Sequence, residues 1–313
     1  MIDGGLWLLD EPEVPSQRIL LQVRSVLHQR RSAYQDIAIL DTVLFGRALT
    51  LNNILQTAER DEFCYHEMLV HPVMLAHPAP RKVLIIGGGD GGALRRVLEH
   101  PVERVTMVEI DREVVDACRA YLPAIHAGAF DDPRLDLRIG DGFAYVQARP
   151  DTFDVIIVDG PDPIGPTPGK VLFAPDFYRG LAEMLSEDGL LVQQTESPMF
   201  MPAQTAATHL HLRRVLPIVR TYLTTVQSYD GWWSLTAASR SIDPASVDVE
   251  VLACRMRERG IESCQYYSPE VHRGAFDLPV FLRRFLEDSI ALGRPAETHP
   301  LMPEVVGPPE AGR

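Results

Sequence analysis

A chain of 313 residues, 46% hydrophobic and 23% charged, is long enough to bury a full core and has the balance of an ordinary globular enzyme. Its formal net charge of −13 argues against nucleic-acid or anionic-membrane partners and is compatible with a cationic substrate, although plain solubility explains the same charge. Cys64, Cys118, Cys254 and Cys264 form no CxxC pair and no metal spacing, so they read as reduced thiols. The start, MIDGGLWLLDEPEVP, is acidic and broken by prolines, unlike a secretory signal. No apolar run approaches the roughly 20 residues that span a bilayer, so a cytoplasmic protein is expected.

From about residue 6 to 60 the apolar residues alternate in short runs, as in Gln35–Leu40 and Val43–Leu49, with a turn at Asn52-Asn53. This predicts a small antiparallel β unit. Asp61 is placed to cap a helix beginning at Glu62, interrupted or kinked near Pro72, and His77-Pro78-Ala79-Pro80 reads as a link. From Val83 the order becomes strand and helix in alternation. Strands are expected at 83–86, 105–109, 135–139, 155–158 and 190–192, with helices from Ala93, over 112–121 and over 173–185. The fold class is therefore α/β: a Rossmann-like, doubly wound, mostly parallel sheet preceded by the small β domain. The expected divisions are 1–77, 78–290 and a Pro-, Gly- and Glu-rich tail over 291–313 that should be poorly ordered.

The stretch VLIIGGGDGG (83–92) is a buried strand running into glycines before a helix. Gly87, Gly89 and Gly92 satisfy the G-x-G-x-x-G spacing, but Asp90 lies where a pyrophosphate would sit. Two like charges about 4 Å apart repel by roughly 4 kcal/mol at an intermediate dielectric. The loop therefore predicts a nucleoside with a cationic tail rather than a dinucleotide. Each of the first four strands of this region delivers an acid near its carboxyl end: Asp90, Glu109, Asp141 and Asp159. Glu109, about 20 residues beyond the glycines, has the usual place of a ribose-binding acid. Asp141-Gly142 would sit beside the base, and Asp159 with Asp162, on a Gly/Pro-stiffened loop, would make an anionic pocket. A turn aspartate is the plainer reading of any one of them.

In order along the chain, Tyr34-Gln35, LQTAERDEFCYHEMLVHP (55–72), VLIIGGGDGG (83–92), VEID (108–111), AGAFDDPRL (127–135), GDG (140–142), DGPDPIGP (159–166) and YYSPEVHRGAFDLP (266–279) resemble the spermidine synthases and related polyamine aminopropyltransferases. The resemblance implies transfer of an aminopropyl group from decarboxylated S-adenosylmethionine, as co-substrate, to an amine, with release of methylthioadenosine and no metal. It further implies that Gln35, Gly87, Gly89, Asp90, Glu109, Asp141, Gly142 and Pro166 contact the nucleoside. His66, Asp90, Asp159, Asp162 and Tyr229 would line the amine site, with Asp159 the proton acceptor. Family members usually form dimers or tetramers, so a homo-oligomer is expected.

The chemistry of the residues agrees. Attack on carbon beside a sulfonium needs a neutral amine, and deprotonating an alkylamine of pKa about 10.4 at neutral pH costs about 4–5 kcal/mol. One carboxylate on the attacking nitrogen can take that proton, and a second can hold the far ammonium. Asp90 would disfavour ordinary S-adenosylmethionine, whose carboxylate would face it. Two positions depart from spermidine synthases: Ser228 stands where a tyrosine is usual, as in thermospermine synthases unless Tyr229 fills the gap, and Asn52-Asn53 replaces an Asp-Gly turn. The acceptor reading is putrescine, with spermidine as the alternative. A methyltransferase and a non-catalytic nucleoside-binding protein are the rival classes.

Overall fold

The computed structural model describes residues 5–9, 19–161, 163 and 168–296. Strands β1 (Leu6–Leu9), β2 (Leu20–Arg31), β3 (Asp36–Thr42), β4 (Gly46–Leu51) and β5 (Ile54–Ala58) form one antiparallel sheet in chain order. The β4–β5 turn is Asn52-Asn53, with φ of +52° and +64°. Both corner residues are left-handed, as a type I′ hairpin requires, and asparagine tolerates that better than most side chains.

Helix α1 (Glu62–Ala76) follows, and its residues from Tyr65 to Ala76 are all buried. A helix apolar on every side must be enclosed, and α1 packs against Val83, Ile85, Val155, Ile157 and Val192 of the larger sheet. The helix is not interrupted at Pro72, which lies inside it. Proline cannot donate to the Met68 carbonyl one turn earlier; the Tyr222 hydroxyl donates to it instead, at 2.8 Å. Asp61 holds the N-cap position but makes no capping bond. Its carboxylate accepts from the Ser228 amide at 2.7 Å and the Ser228 hydroxyl at 3.0 Å, a contact 167 residues away in sequence. At the other end, Arg255 donates to the Leu75 and Ala76 carbonyls and Arg259 to those of Met74 and His77, satisfying the carbonyls a helix leaves open.

The chain continues through β6 (Lys82–Gly87), α2 (Gly92–Leu98), β7 (Arg104–Glu109), α3 (Arg112–Tyr121), the single turn α4 (Pro123–His126), β8 (Leu135–Ile139), α5 (Gly142–Ala148), β9 (Phe153–Asp159), α6 (Pro175–Met184) and β10 (Leu185–Gln194). It ends in α7 (Pro202–Arg213), the hairpin β11 (Ile218–Val226) and β12 (Gly231–Ser239), then α8 (Val249–Glu258), α9 (Pro269–Ala275) and α10 (Val280–Leu292). The larger sheet has the order β11-β12-β10-β9-β6-β7-β8. Strands β6 to β10 pair in parallel and the β11–β12 hairpin adds an antiparallel edge, so the sheet is mostly parallel as expected. The expected tail begins inside α10, and residues 297–313 lie outside the described residues.

The two sheets meet through α3. Ile37, Ile39 and Leu49 of the small sheet share a core with Val114, Ala117 and Cys118 on that helix. This contact carries the small sheet over the carboxyl edge of the large one. No helix among the described residues is long and apolar enough to cross a membrane.

Candidate active site

Strand order reverses at β6, whose neighbours are β7 on one side and β9 on the other. Ligands in open α/β sheets bind beyond the carboxyl ends at such a point. There the Gly88 amide donates to the Asp159 carbonyl at 2.8 Å, and a Cβ on Gly87, which has φ of +84°, would stand 2.2 Å from that same oxygen. Glycine alone lets the two strand ends approach so closely. A Cβ on Gly92 would meet the His66 ring at 2.2 Å, so the start of α2 rests on that imidazole.

One cavity opens at this edge. It is lined by Gly87, Gly89 and Asp90 of the glycine turn, Glu109 at the end of β7, Asp141 and Gly142 before α5, and Asp159 at the end of β9. Gln35 from the β2–β3 connection and Tyr229 from the β11–β12 turn line it as expected. Four carboxylates therefore face one space, and no Lys or Arg lines it among the described residues. His66 is not part of the lining; it lies behind Asp90, buried against α2. Asp162 and Pro166 lie outside the described residues.

At one end of the cavity the acids crowd each other. Asp159 is pushed up to about 6 by burial and then by the negative charge of Asp90. The Tyr65 hydroxyl donates to Asp159 Oδ1 at 2.7 Å, and burial keeps that phenol well above its ordinary pKa, a neutral donor. Asp90 moves the other way: burial opposes its charge, but His66 and the Gly92 amide, which donates at 2.7 Å, outweigh burial and hold it ionised. His66 is likewise opposed by burial, yet its Nε2 stands 3.5 Å from Asp90 and its Nδ1 2.7 Å from Glu62, and the pair raises it to about 10.

The other end has spaced acids, each tied to a backbone amide. Glu109 is pushed up to about 7 by burial, while one of its oxygens accepts from the Asp111 amide at 2.9 Å. Asp141 caps α5, accepting from the Phe143 and Ala144 amides. The Gln35 side-chain amide donates to Asp111 at 3.1 Å and the Ser32 hydroxyl to the same oxygen at 2.6 Å. This fixes Gln35 with its carbonyl oxygen free of that bond, an acceptor at the cavity wall. The arrangement suits hydroxyl and amine donors rather than anions.

Several lining residues escaped the sequence reading. Tyr65 precedes His66 on α1 and reaches Asp159; its position beside the histidine was the available signal. Gln194, at the end of β10, lines the cavity and donates to the Gly160 carbonyl at 3.3 Å. Ser228 lines the cavity together with the expected Tyr229. Ser228 is locked to Asp61, whereas the Tyr229 ring packs edge-on against Tyr65 at 5.9 Å and Trp233 at 4.9 Å and its hydroxyl donates to the Gln56 carbonyl.

His66, Asp90 and Asp159 each place one nitrogen or oxygen within 4.8 Å of the others, which on spacing alone is a cation site. A metal requires a neutral imidazole lone pair. With both ring nitrogens of His66 directed at carboxylates, the ring keeps its proton, so an ammonium or sulfonium suits this wall better than a metal.

Comparison with known proteins agrees with this geometry. Residues 62–249 match the spermine/spermidine synthase domain and residues 6–59 the spermidine synthase tetramerisation domain. The chain is similar to the polyamine aminopropyltransferase of Moorella thermoacetica, 44% identical over 285 residues, covering 90% of this chain and 97% of that one. It is equally similar to the polyamine aminopropyltransferase of Thermoanaerobacter sp. strain X514, 44% identical over 285 residues and 99% of that chain. Among solved structures it superposes on a spermidine synthase in complex with the transition-state analogue AdoDATO, with a TM-score of 0.86, 38% identity, and coverage of 92% of this chain and 97% of that one. The spermidine synthase of Thermotoga maritima gives a TM-score of 0.82 at 36% identity, covering 92% and 96%. The methyltransferase and non-catalytic readings therefore fall, and the chain belongs to the spermine/spermidine synthase family of polyamine aminopropyltransferases.

Proposed function

We propose that the chain transfers the aminopropyl group of decarboxylated S-adenosylmethionine to putrescine, giving spermidine and 5′-methylthioadenosine. The observation that carries this reading is the crowded carboxylate pair Asp90–Asp159 on a cavity that no Lys or Arg lines among the described residues. The amine nitrogen attacks the carbon next to sulfur, the carbon–sulfur bond breaks, and its electron pair neutralises the sulfonium. The proton lost from nitrogen passes to Asp159, whose raised pKa brings it nearer the working pH of a general base. Tyr65 orients that carboxylate through its hydroxyl. Asp90, held ionised, attracts the cationic arm of the nucleoside. Glu109 takes the ribose hydroxyls, with Gln35 beside it, and Asp141 and Gly142 take the base.

The Tyr229 ring lines the cavity and is braced by Trp233 and by Tyr65, whose hydroxyl donates to Asp159, and a bulky braced ring there favours a short diamine. Ser228 in place of a tyrosine is the observation favouring spermidine as acceptor. Incubation with decarboxylated S-adenosylmethionine and putrescine, cadaverine, agmatine or spermidine in turn, with products separated chromatographically, decides between them. Spermidine as the main product from putrescine is the expected result; extension of spermidine alone would replace this reading. We further propose a homo-oligomer formed through the small sheet, which exposes Leu6, Leu9, Leu20, Val26 and Leu44.

A further inference from the structure

We infer that Glu62, which does not line the cavity, is a positioning residue for the reaction: by accepting from His66 Nδ1 it holds the imidazole doubly protonated, so that Nε2–H faces Asp90 and partly cancels the charge Asp90 would otherwise impose on Asp159. This rests on the proton-acceptor role proposed for Asp159.

The geometry is closed on every side. Glu62 and His66 occupy successive turns of α1 with 2.7 Å between Oε2 and Nδ1, and both are buried. The ring is pinned under Gly92, where a Cβ would stand 2.2 Å away, and against the edge of Tyr65, with centroids 5.2 Å apart. It cannot turn to offer Asp90 the other nitrogen without losing Glu62. From α2, Arg95 Nη1 and Arg96 Nη2 approach Glu62 Oε1 at 3.5 and 3.7 Å, which leaves Oε2 to the His66 ring. The other titratable groups about the pair include Asp61 and the Cys64 thiol beside Glu62, Asp159 on β9, Tyr65, His126 and the buried Cys118 thiol near Asp90, and Glu67, which engages Arg96 at 3.1 Å rather than His66. Glu62 is therefore the one carboxylate among the described residues that pairs with Nδ1 of the ring. Without a charge on His66, two adjacent carboxylates would face each other unscreened and one of them would take up a proton.

The test is the pH dependence of kcat/KM for the parent, Glu62→Gln, His66→Gln and the double variant, all with the same nucleoside and amine so that the amine's own ionisation is common. Glu62→Gln is near-isosteric and keeps an acceptor for Nδ1, which protects the fold. The acid limb is expected to move upward by about half a unit to one unit in Glu62→Gln, roughly three- to tenfold less activity at its foot. In the His66→Gln background the Glu62→Gln substitution should produce no further shift, because neighbours acting through one group are not additive. A uniform loss of activity at every pH, or an equal shift in both backgrounds, would overturn the positioning role. If the parent itself forms no aminopropylated amine, the functional reading fails instead, and the two failures are thus distinct.

Discussion

The two ends of the cavity use the same residue type for opposite ends. Beside α1, Asp90 and Asp159 lie against each other and a protonated histidine, so burial and mutual repulsion drive one up while the imidazolium holds the other down. Beside β7 and β8, Glu109, Asp111 and Asp141 each accept backbone amides, and their partners are fixed dipoles rather than full charges. The difference teaches that a strand-end acid is not yet a function. Crowded acids with a counter-cation behind them suit proton transfer and cation binding; separated, amide-tethered acids suit hydroxyl recognition.

The largest effect that would break this comparison is at Asp159. Asp159→Asn removes the proposed proton acceptor while keeping the Tyr65 contact possible, and single-turnover product formation should fall about 10²- to 10⁴-fold, with nucleoside affinity measured by calorimetry little changed. At the tethered end, Glu109→Gln should raise the KM for the nucleoside roughly 10- to 100-fold, in line with loss of a charge-assisted hydrogen bond, and leave the rate at saturation nearly intact. Equal effects of the two substitutions on kcat would erase the distinction between the ends.

A smaller effect sharpens it through stability. The folded protein keeps a proton on His66 up to about 10, whereas the unfolded chain releases it near 6.5. The stabilisation from this group is therefore complete below about pH 6.5 and is lost as pH rises towards 10. Asp90, lowered in the fold, works in the other sense, contributing above its unfolded pKa and losing that contribution in acid. Urea denaturation between pH 6.5 and 9.5 should show declining stability in the parent and a flatter profile in His66→Gln. The smallest effect is at the buried Ser228: Ser228→Ala removes one hydroxyl bond to Asp61 and should cost about 1 kcal/mol in the same assay.

Much of this was legible in the sequence. Strands β6 and β9 are short apolar runs that stop at Gly87 and Asp159, and β7 stops at Glu109; stopping points of that kind fix which side chains reach the carboxyl edge. The Asn52-Asn53 turn was legible for the same local reason. What failed was long-range. Asp61 has the identity of a helix cap, but Ser228 takes its carboxylate; Pro72 has the identity of a break, but Tyr222 supplies the missing donor. The β11–β12 hairpin and the helices after it were not assigned at all, although Thr, Val and Tyr dominate β11. The protonation of His66 depends on two carboxylates meeting one buried ring, which no spacing along the chain reveals.

The most direct test of the contrast between the ends is the ratio of affinities for decarboxylated and ordinary S-adenosylmethionine, measured by calorimetry on the parent, Asp90→Asn and Glu109→Gln. The parent should prefer the decarboxylated form, Asp90→Asn should lose most of that preference, and Glu109→Gln should weaken both nucleosides while keeping their ratio. Equal affinity of the parent for the two nucleosides, or a ratio that collapses at Glu109 and survives at Asp90, would contradict the account.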